Sequence, residues 1–287
     1  MNATAGTMTA NADRRHWIAP VIIAVYLAAA IGVWLGWWGN EWAAITGDFR
    51  EPPSKQHWLG TNLLGQDIFS RLLASTAAAF EIGMLVALTS TLLGAMLGGL
   101  AGYFAGRWID ELMLWLAGTL DAIPFYLFVA ALAFAFAGRP GAMQAAMILT
   151  FWTLTARLVR AETLRLRQLD FVAAARVSGL TPGRIVRRHI LPNTWHILLV
   201  QATLVFVAAI KAEVVLSFLG LGPDNSISWG VMIAEASQEV LAGHITNFIA
   251  ASSALMALVL TVNHLADRLQ AQLDPRTRRH PARRPDA

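Results

Sequence analysis

The 287-residue sequence contains no cysteine and only two lysines, Lys55 and Lys211. Without cysteine the chain has no disulfide, no thiolate metal site and no cysteine nucleophile, and its redox compartment cannot be inferred. Charged residues make up only 14% of the chain, whereas soluble globular proteins have about 25%. Because 56% of the residues are hydrophobic and lie in long runs, the composition excludes a soluble single domain, a disordered chain and a coiled coil.

Motifs for ATP binding and hydrolysis are also missing. A phosphate-binding P-loop requires Gly-Lys followed by Ser or Thr, and neither lysine follows a glycine. No Gly-x-Ser-x-Gly nucleophile element is present. The seven histidines form no closely spaced ligand motif such as His-Glu-x-x-His. We therefore expect no catalytic site, no bound cofactor and no metal site built by this chain.

Six apolar stretches are long enough to cross a bilayer, which takes about 20 residues. They are Trp17–Trp38, Ala77–Tyr103, Leu112–Ala137, Ala142–Val159, Trp195–Leu219 and Ile245–Ala266. The first follows two arginines as a signal peptide would, but it is long and lacks a small-residue cleavage site, so we expect an uncleaved helix. The sequence thus predicts an all-α membrane protein with six transmembrane helices.

Basic residues are distributed unevenly between the loops that these spans define. If the N-terminus lies inside, seventeen basic residues are inside, fourteen of them in the segments 157–188 and 268–284. The four that fall outside are Arg50, Lys55, Arg71 and Arg139. The positive-inside rule therefore predicts that both termini are cytoplasmic. The same distribution explains the net charge of +4 as a topology signal rather than as a nucleic-acid-binding surface.

Polar features within the predicted spans are few. Gly94, Gly98, Gly102 and Gly106 recur at every fourth position of the second span, a pattern that predicts close contact between two helix backbones. Lys211 and Glu213 lie within the fifth span, where charge is costly. Lys211 is expected near the outer boundary. Both residues are candidates for a pathway or gate, and a structural anchor is the alternative for Glu213.

The inner loop 160–194 has a pattern of its own. We expect Asp170 to cap a short helix and Gly179 to form the turn that ends it. Pro182 would begin a second short helix, and Pro192 would end it. This helix–turn–helix could dock into a groove of a cytosolic partner. An ordinary basic loop is the alternative that the spacing alone leaves open.

The same loop resembles the EAA motif of the membrane subunits of ABC importers. Ala174, Ala175, Gly179, Leu191 and Pro192 are in register with it, whereas Ala173 and His189 stand where the motif has Glu and Ile. The pattern from Asp170 through Arg176 and Gly179 to the His-Ile-Leu-Pro-Asn segment is similar to the oligopeptide/dipeptide/nickel permease branch. The two departures therefore indicate a subfamily.

Further segments resemble the same branch in the same order. They are Leu59–Arg71, Gly102–Gly106, Glu213–Gly222, Trp229–Met232 and Leu273–Arg276. Near Ala77 the arginine usual in that branch is absent, and Glu81 is unusual at its position. The resemblance covers about residues 57–276 and points to the "C" partner of a heterodimeric permease pair.

This resemblance implies the type I ABC importer permease fold and a division of the chain into three parts. Residues 1–76 would form an N-terminal transmembrane helix and an extracytoplasmic loop, residues 77–275 a five-helix core, and residues 276–287 a basic cytoplasmic tail. The coupling loop to the ATPases would use seven residues, which are Asp170, Ala174, Ala175, Arg176, Gly179, Leu191 and Pro192.

The partners that the resemblance implies are a second permease chain, two cytosolic ATPase subunits that bind ATP and Mg²⁺, and an extracytoplasmic solute-binding protein, in a bacterial inner membrane and its lipid. Short peptides are the expected cargo. Nickel or another small solute is the alternative within the family, and an intramembrane enzyme is a remote alternative from another class.

Overall fold

The computed structural model describes residues 5–136, 139, 141–222 and 226–273, with side chains described from Ile18 onward. The described helices are α1 (Ala5–Trp34), α2 (Ile68–Tyr103), α3 (Trp108–Asp121), α4 (Phe125–Ala135), α5 (Ala142–Leu166), α6 (Asp170–Val177), α7 (Pro182–Ile185), α8 (Trp195–Phe218), α9 (Trp229–Leu241) and α10 (Thr246–Leu273). A π-helical turn, Val186–Ile190, and a 3-10 turn, Leu191–Thr194, join α7 to α8. The predicted tail from residue 276 lies outside the described residues.

Four helical segments are long and apolar enough to span a membrane. They are α2, α5, α10 and the run Pro182–Phe218 that contains α8. The pair α3 and α4 passes the same test only when both helices are taken together, and Ile18–Trp34 of α1 is a shorter apolar helix. The bent pair and α1 are thus the segments that correspond to the remaining two of the six predicted spans.

The third predicted span, Leu112–Ala137, is wrong as a single helix. The chain bends by 89° between α3 and α4. Pro124 occupies the N-cap of α4 with φ −57° and ψ 122°. Proline excludes the helical conformation for the residue before it and cannot donate a helical hydrogen bond, so the apolar run is interrupted here.

The second span begins earlier than predicted, at Ile68 rather than Ala77. The Asp67 carboxylate caps α2 by accepting a hydrogen bond of 2.7 Å from the Ser70 backbone N–H. Arg71 therefore lies within α2, where only 2% of its surface is exposed, and pairs with Glu235 of α9. This ion pair fixes the N-terminal end of α2 to α9.

Glycines bring α2 and α5 into backbone contact. A Cβ atom on Gly94, Gly98 or Gly102 would lie within 2.7 Å of a backbone oxygen of α5, from Trp152, Ala156 and Arg160 in turn. The predicted close approach is therefore correct for these three residues. Gly106 is different because it follows the end of α2 at a φ of +79° and serves a turn.

Two apolar clusters hold the remaining helices together. The first joins α1, α2, α8, α9 and α10 around buried Trp229, Met232 and Leu258. The second joins α2, α4, α5 and α8 around Val86, Met147 and Leu216. Both clusters include α2 and α8, so these two helices form the centre of the subunit.

Candidate coupling knob and outer cavity

The segment from α6 to the 3-10 turn, residues 170–194, forms a compact unit that we call the knob. Helix α6 begins at Asp170, but Leu169 is its N-cap and Asp170 lies in the first turn without a capping hydrogen bond. The prediction that Asp170 caps this helix is therefore wrong. Its carboxylate instead lies near the positive end of the helix dipole, which is favourable.

Gly179 ends α6 as predicted. Its φ is +76°, and its N–H donates to the Arg176 carbonyl at 3.0 Å. The next N–H, of Leu180, donates to the Ala175 carbonyl at 3.2 Å. This pair of hydrogen bonds is a Schellman motif, in which glycine is favoured because the left-handed conformation strains other residues.

The prediction that Pro192 ends a helix is also wrong. Helical turns continue without a break from Pro182 to Phe218. The Leu191 N–H donates to the Val186 carbonyl, five residues back, and Pro192 follows within the 3-10 turn. Because these irregular turns accommodate a proline that cannot donate, the second half of the knob, from Pro182, and α8 form one continuous helical run.

The knob has its own small core, and two of the seven predicted coupling residues belong to it. Ala175 and the partly buried Leu191 pack with the buried residues Val172, Ile185 and Ile190. The other five predicted residues are exposed, and they are Asp170, Ala174, Arg176, Gly179 and Pro192. The two residues in the core of the knob therefore shape it, and the five exposed residues form its surface.

An apolar patch accompanies the exposed residues. Val177 is 91% exposed and Phe171 is 39% exposed, and both lie on α6 beside the exposed Ala174. Exposed apolar side chains next to small residues are typical of a surface that a protein partner covers.

The knob and the end of α5 that precedes it are both fastened to the C-terminal end of α2. The guanidinium of Arg167, the C-cap of α5, donates to the carbonyls of Gly102 and Tyr103 at 3.3 and 3.2 Å. The Arg176 guanidinium lies 5.2 Å from the centre of the Tyr103 ring, in cation–π geometry. Displacement of the knob would therefore act on α2 as well as on α8.

Glu213 and Lys211 of α8 face different surroundings. Glu213 is 2% exposed, accepts a hydrogen bond from Ser217 and is also hydrogen-bonded by Ser228, the N-cap of α9. Lys211 is exposed on the other side of the helix. The structure therefore does not bring these two residues together, and Glu213 links α8 to the start of α9.

Glu213 also borders a cavity of about 810 Å³ that opens between α2, α4, α5 and α8. Its polar lining includes Glu81, Arg139, Gln144 and Ser228. The apolar lining comes from Ile82, Leu85, Phe134 and Met143, among others. The cavity lies at the ends of α2 and α8 opposite to the knob, and we call it the outer cavity because this is the predicted outer side. Its size is typical of small-ligand pockets.

Sequence reasoning missed two ion pairs that fix α3 to α5. Arg160 holds Asp110 through both carboxylate oxygens, at 2.5 and 2.8 Å. Arg157 pairs with Asp121 at 2.7 Å, and Thr153 donates to the same carboxylate. A signal was available, because Arg157 and Arg160 are spaced to lie on one face of a helix and the acidic residues flank an apolar run.

The chain therefore combines several long apolar helices with an exposed knob at the end of one of them. The family described as "Binding-protein-dependent transport system inner membrane component" matches residues 90–279. The chain belongs to this family and is a multi-pass membrane protein of the ABC importer permease class, with the type I fold, and not an enzyme. Permeases of this class work with ATPase subunits and a solute-binding protein.

Individual relatives match most of the chain. The dipeptide transport system permease protein DppC of Bacillus subtilis is 35% identical over 260 residues, which are 90% of this chain and 81% of that protein. The oligopeptide transport system permease protein OppC of Mycobacterium tuberculosis is 35% identical over 79% of each chain. The glutathione transport system permease protein GsiD of Pectobacterium atrosepticum is 35% identical over 92% of this chain and 88% of its own length.

Proposed function

We propose that this chain is the C-type half of a heterodimeric permease that imports short peptides across a bacterial inner membrane. The support is that relatives similar over most of the chain are named as dipeptide, oligopeptide and glutathione permeases. A second permease chain encloses the other side of the path. Two ATPase subunits, which bind ATP and Mg²⁺, and an extracytoplasmic binding protein complete the transporter. Both termini of the chain are cytoplasmic.

The knob is the part of this chain that the ATPases move. The observation that supports this proposal most directly is the unbroken helical run from Pro182 to Phe218. It joins the second half of the knob, against which α6 packs, to the wall of the outer cavity. Because the knob has its own buried core, it can transmit force without losing its shape. The exposed coupling residues Asp170, Ala174, Arg176, Gly179 and Pro192 meet the ATPase, while Ala175 and Leu191 support them from inside.

Charge placed on the exposed face of the knob tests this assignment. Ala174→Glu adds bulk and a carboxylate to a small exposed residue, and Gly179→Asp adds a carboxylate at a φ of +76°. No described atom lies within 4 Å of the Cβ position at Gly179, and Ala174 is exposed, so neither new side chain meets a steric obstacle within the subunit. The left-handed conformation at Gly179 adds a local strain of about 1 kcal/mol to Gly179→Asp. Desolvating an unpaired carboxylate at an interface costs several kcal/mol.

We expect both variants to insert at wild-type abundance but to lose peptide uptake in vesicles reconstituted with the partner subunits. The ATPases should either fail to co-purify or hydrolyse ATP without transport. Gln168→Glu is the matched control, because it adds the same charge at an exposed residue just before the knob. Wild-type uptake by both knob variants would show that the segment is an ordinary basic connector.

A further inference from the structure

Glu81 is an unusual residue for its place on α2. It lies on the face of the helix that carries Leu85, Leu88 and Leu92, which are between 47% and 62% exposed, and it is exposed itself. Charge on a lipid-facing surface is strongly disfavoured, and intramembrane carboxylates almost always face a water-filled path or a polar partner. The position of Glu81 on the wall of the outer cavity provides such a path.

Two charged side chains of the outer cavity have no charged partner among the residues that the structure describes. Among the described residues, neither Glu81 nor Arg139 forms an ion pair. The guanidinium of Arg139 lies 5.8 Å from the centre of the Phe136 ring, which leaves its N–H donors free for another group. Glu213 differs, because two serines already hydrogen-bond to it.

The side-chain oxygen of Gln144 is a second, independent indication that the cavity accommodates a hydrogen-bond donor. Gln144 borders the same cavity, and its side-chain oxygen is buried without a hydrogen-bond partner in the described part of the chain. A buried acceptor without a donor is unfavourable, so such groups are generally satisfied by solvent or ligand. A carboxylate and an amide oxygen are both acceptors, and an ammonium group with three N–H donors complements both.

We propose that the outer cavity binds an ammonium group of the transported peptide, with the Glu81 carboxylate as the charged partner and the Gln144 amide as the second acceptor. The inference rests on the proposed peptide-import function and adds a recognition site within the permease itself. Arg139, on the same cavity, is placed to attract the carboxylate of the same zwitterionic peptide. Two ammonium sources share this chemistry, the peptide N-terminus and a lysine side chain.

The test is uptake by the complete transporter in proteoliposomes, with Glu81→Gln, Glu81→Asp and Gln144→Leu compared with wild type. Glu41→Gln is the matched control, since it removes one exposed carboxylate from the outer loop. Three labelled tripeptides serve as probes: one with a free N-terminus, the same peptide acetylated, and an acetylated peptide with a lysine side chain. The binding protein's affinity for each is measured separately, so that uptake is compared at equal occupancy.

We expect Glu81→Gln to lower kcat/KM about tenfold or more for peptides that carry the recognised ammonium, as the loss of a charged hydrogen bond implies. Glu81→Asp should restore part of this loss, and Gln144→Leu should cause a smaller one. A loss confined to the free N-terminus assigns the site to that group, and a loss confined to the lysine peptide assigns it to the side chain.

Equal kcat/KM for Glu81→Gln and wild type on every probe would overturn the inference, and so would an equal loss on all three. Basal ATP hydrolysis and the amount of assembled complex should not change in any variant, and a parallel fall in both would also overturn it. If the wild-type complex imported none of the peptides, the proposed function itself would fail, which is a separate result.

Discussion

A prediction about stability follows from the backbone contact between α2 and α5. A Cβ atom added at Gly98 would lie 2.2 Å from the Ala156 carbonyl oxygen and 2.9 Å from its carbonyl carbon. Real Cβ atoms essentially never approach another heavy atom within 3.0 Å. Gly98→Ala therefore requires the two helices to move apart by nearly 1 Å, and the obstacle is rigid backbone that cannot rotate away.

The loss of stability caused by Gly98→Ala can be estimated from substitutions in the cores of other proteins. Overpacking by a single methyl group typically costs about 1–3 kcal/mol. A gap of 0.5–1 Å also removes a quarter to a half of the dispersion energy at each contact between α2 and α5. Gly94 and Gly102 belong to the same line of contact. We therefore expect Gly98→Ala to destabilise the subunit by about 3 kcal/mol.

Two other glycines provide matched controls. Gly118 lies within α3 with no described atom within 4 Å of its Cβ position, so Gly118→Ala should cost nothing and could gain up to about 1 kcal/mol from helix propensity. Gly106 also has open space but a φ of +79°, so Gly106→Ala should cost about 1 kcal/mol. Thermal unfolding in detergent, followed by tryptophan fluorescence, should give Gly98→Ala the lowest midpoint and Gly118→Ala the highest. Equal midpoints for these two variants would refute the argument.

Two further predictions concern topology and the outer end of the subunit. Because native cysteine is absent, Ser178→Cys in the knob and Gln56→Cys in the outer loop can be compared directly with an impermeant thiol reagent added to intact cells. Only Gln56→Cys should be labelled, and labelling of Ser178→Cys would reverse the proposed orientation. Glu235→Gln should destabilise the subunit by about 1–3 kcal/mol, because it leaves the buried Arg71 guanidinium without its carboxylate. Unfolding midpoints should fall for Glu235→Gln and stay at the wild-type value for Glu41→Gln. Arg71 also donates to the side-chain oxygen of Gln66, and equal midpoints would show that this contact alone satisfies the arginine.

Features encoded by nearby residues were predictable from the sequence. The positive φ of Gly179 and the close approach at Gly94, Gly98 and Gly102 depend on the residue itself or on a helical repeat. Patterns of this kind need no knowledge of the partner element.

Features that depend on distant residues were not predictable. Arg71 precedes the predicted second span, and its charge suggested a loop. It nevertheless lies inside α2, where Glu235, from a distant part of the chain, neutralises it. The sequence left two roles open for Glu213, because one of the two serines that hydrogen-bond to it, Ser228, belongs to another helix. The bend at Pro124 had a local signal, but the apolar run on both sides concealed it.

The junction between the knob and α8 has a consequence for the kind of motion that the subunit can transmit. A π-helical turn rotates the chain by less per residue than an α-helix, and a 3-10 turn rotates it by more. The two types lie next to each other at Val186–Ile190 and Leu191–Thr194. A change of hydrogen bonding between these two turns would rotate α8 about its own axis relative to α6 and α7, while the helical run stays continuous. Because the rise per residue also differs between helix types, such a change would turn Glu213 about the helix axis and shift it slightly along that axis.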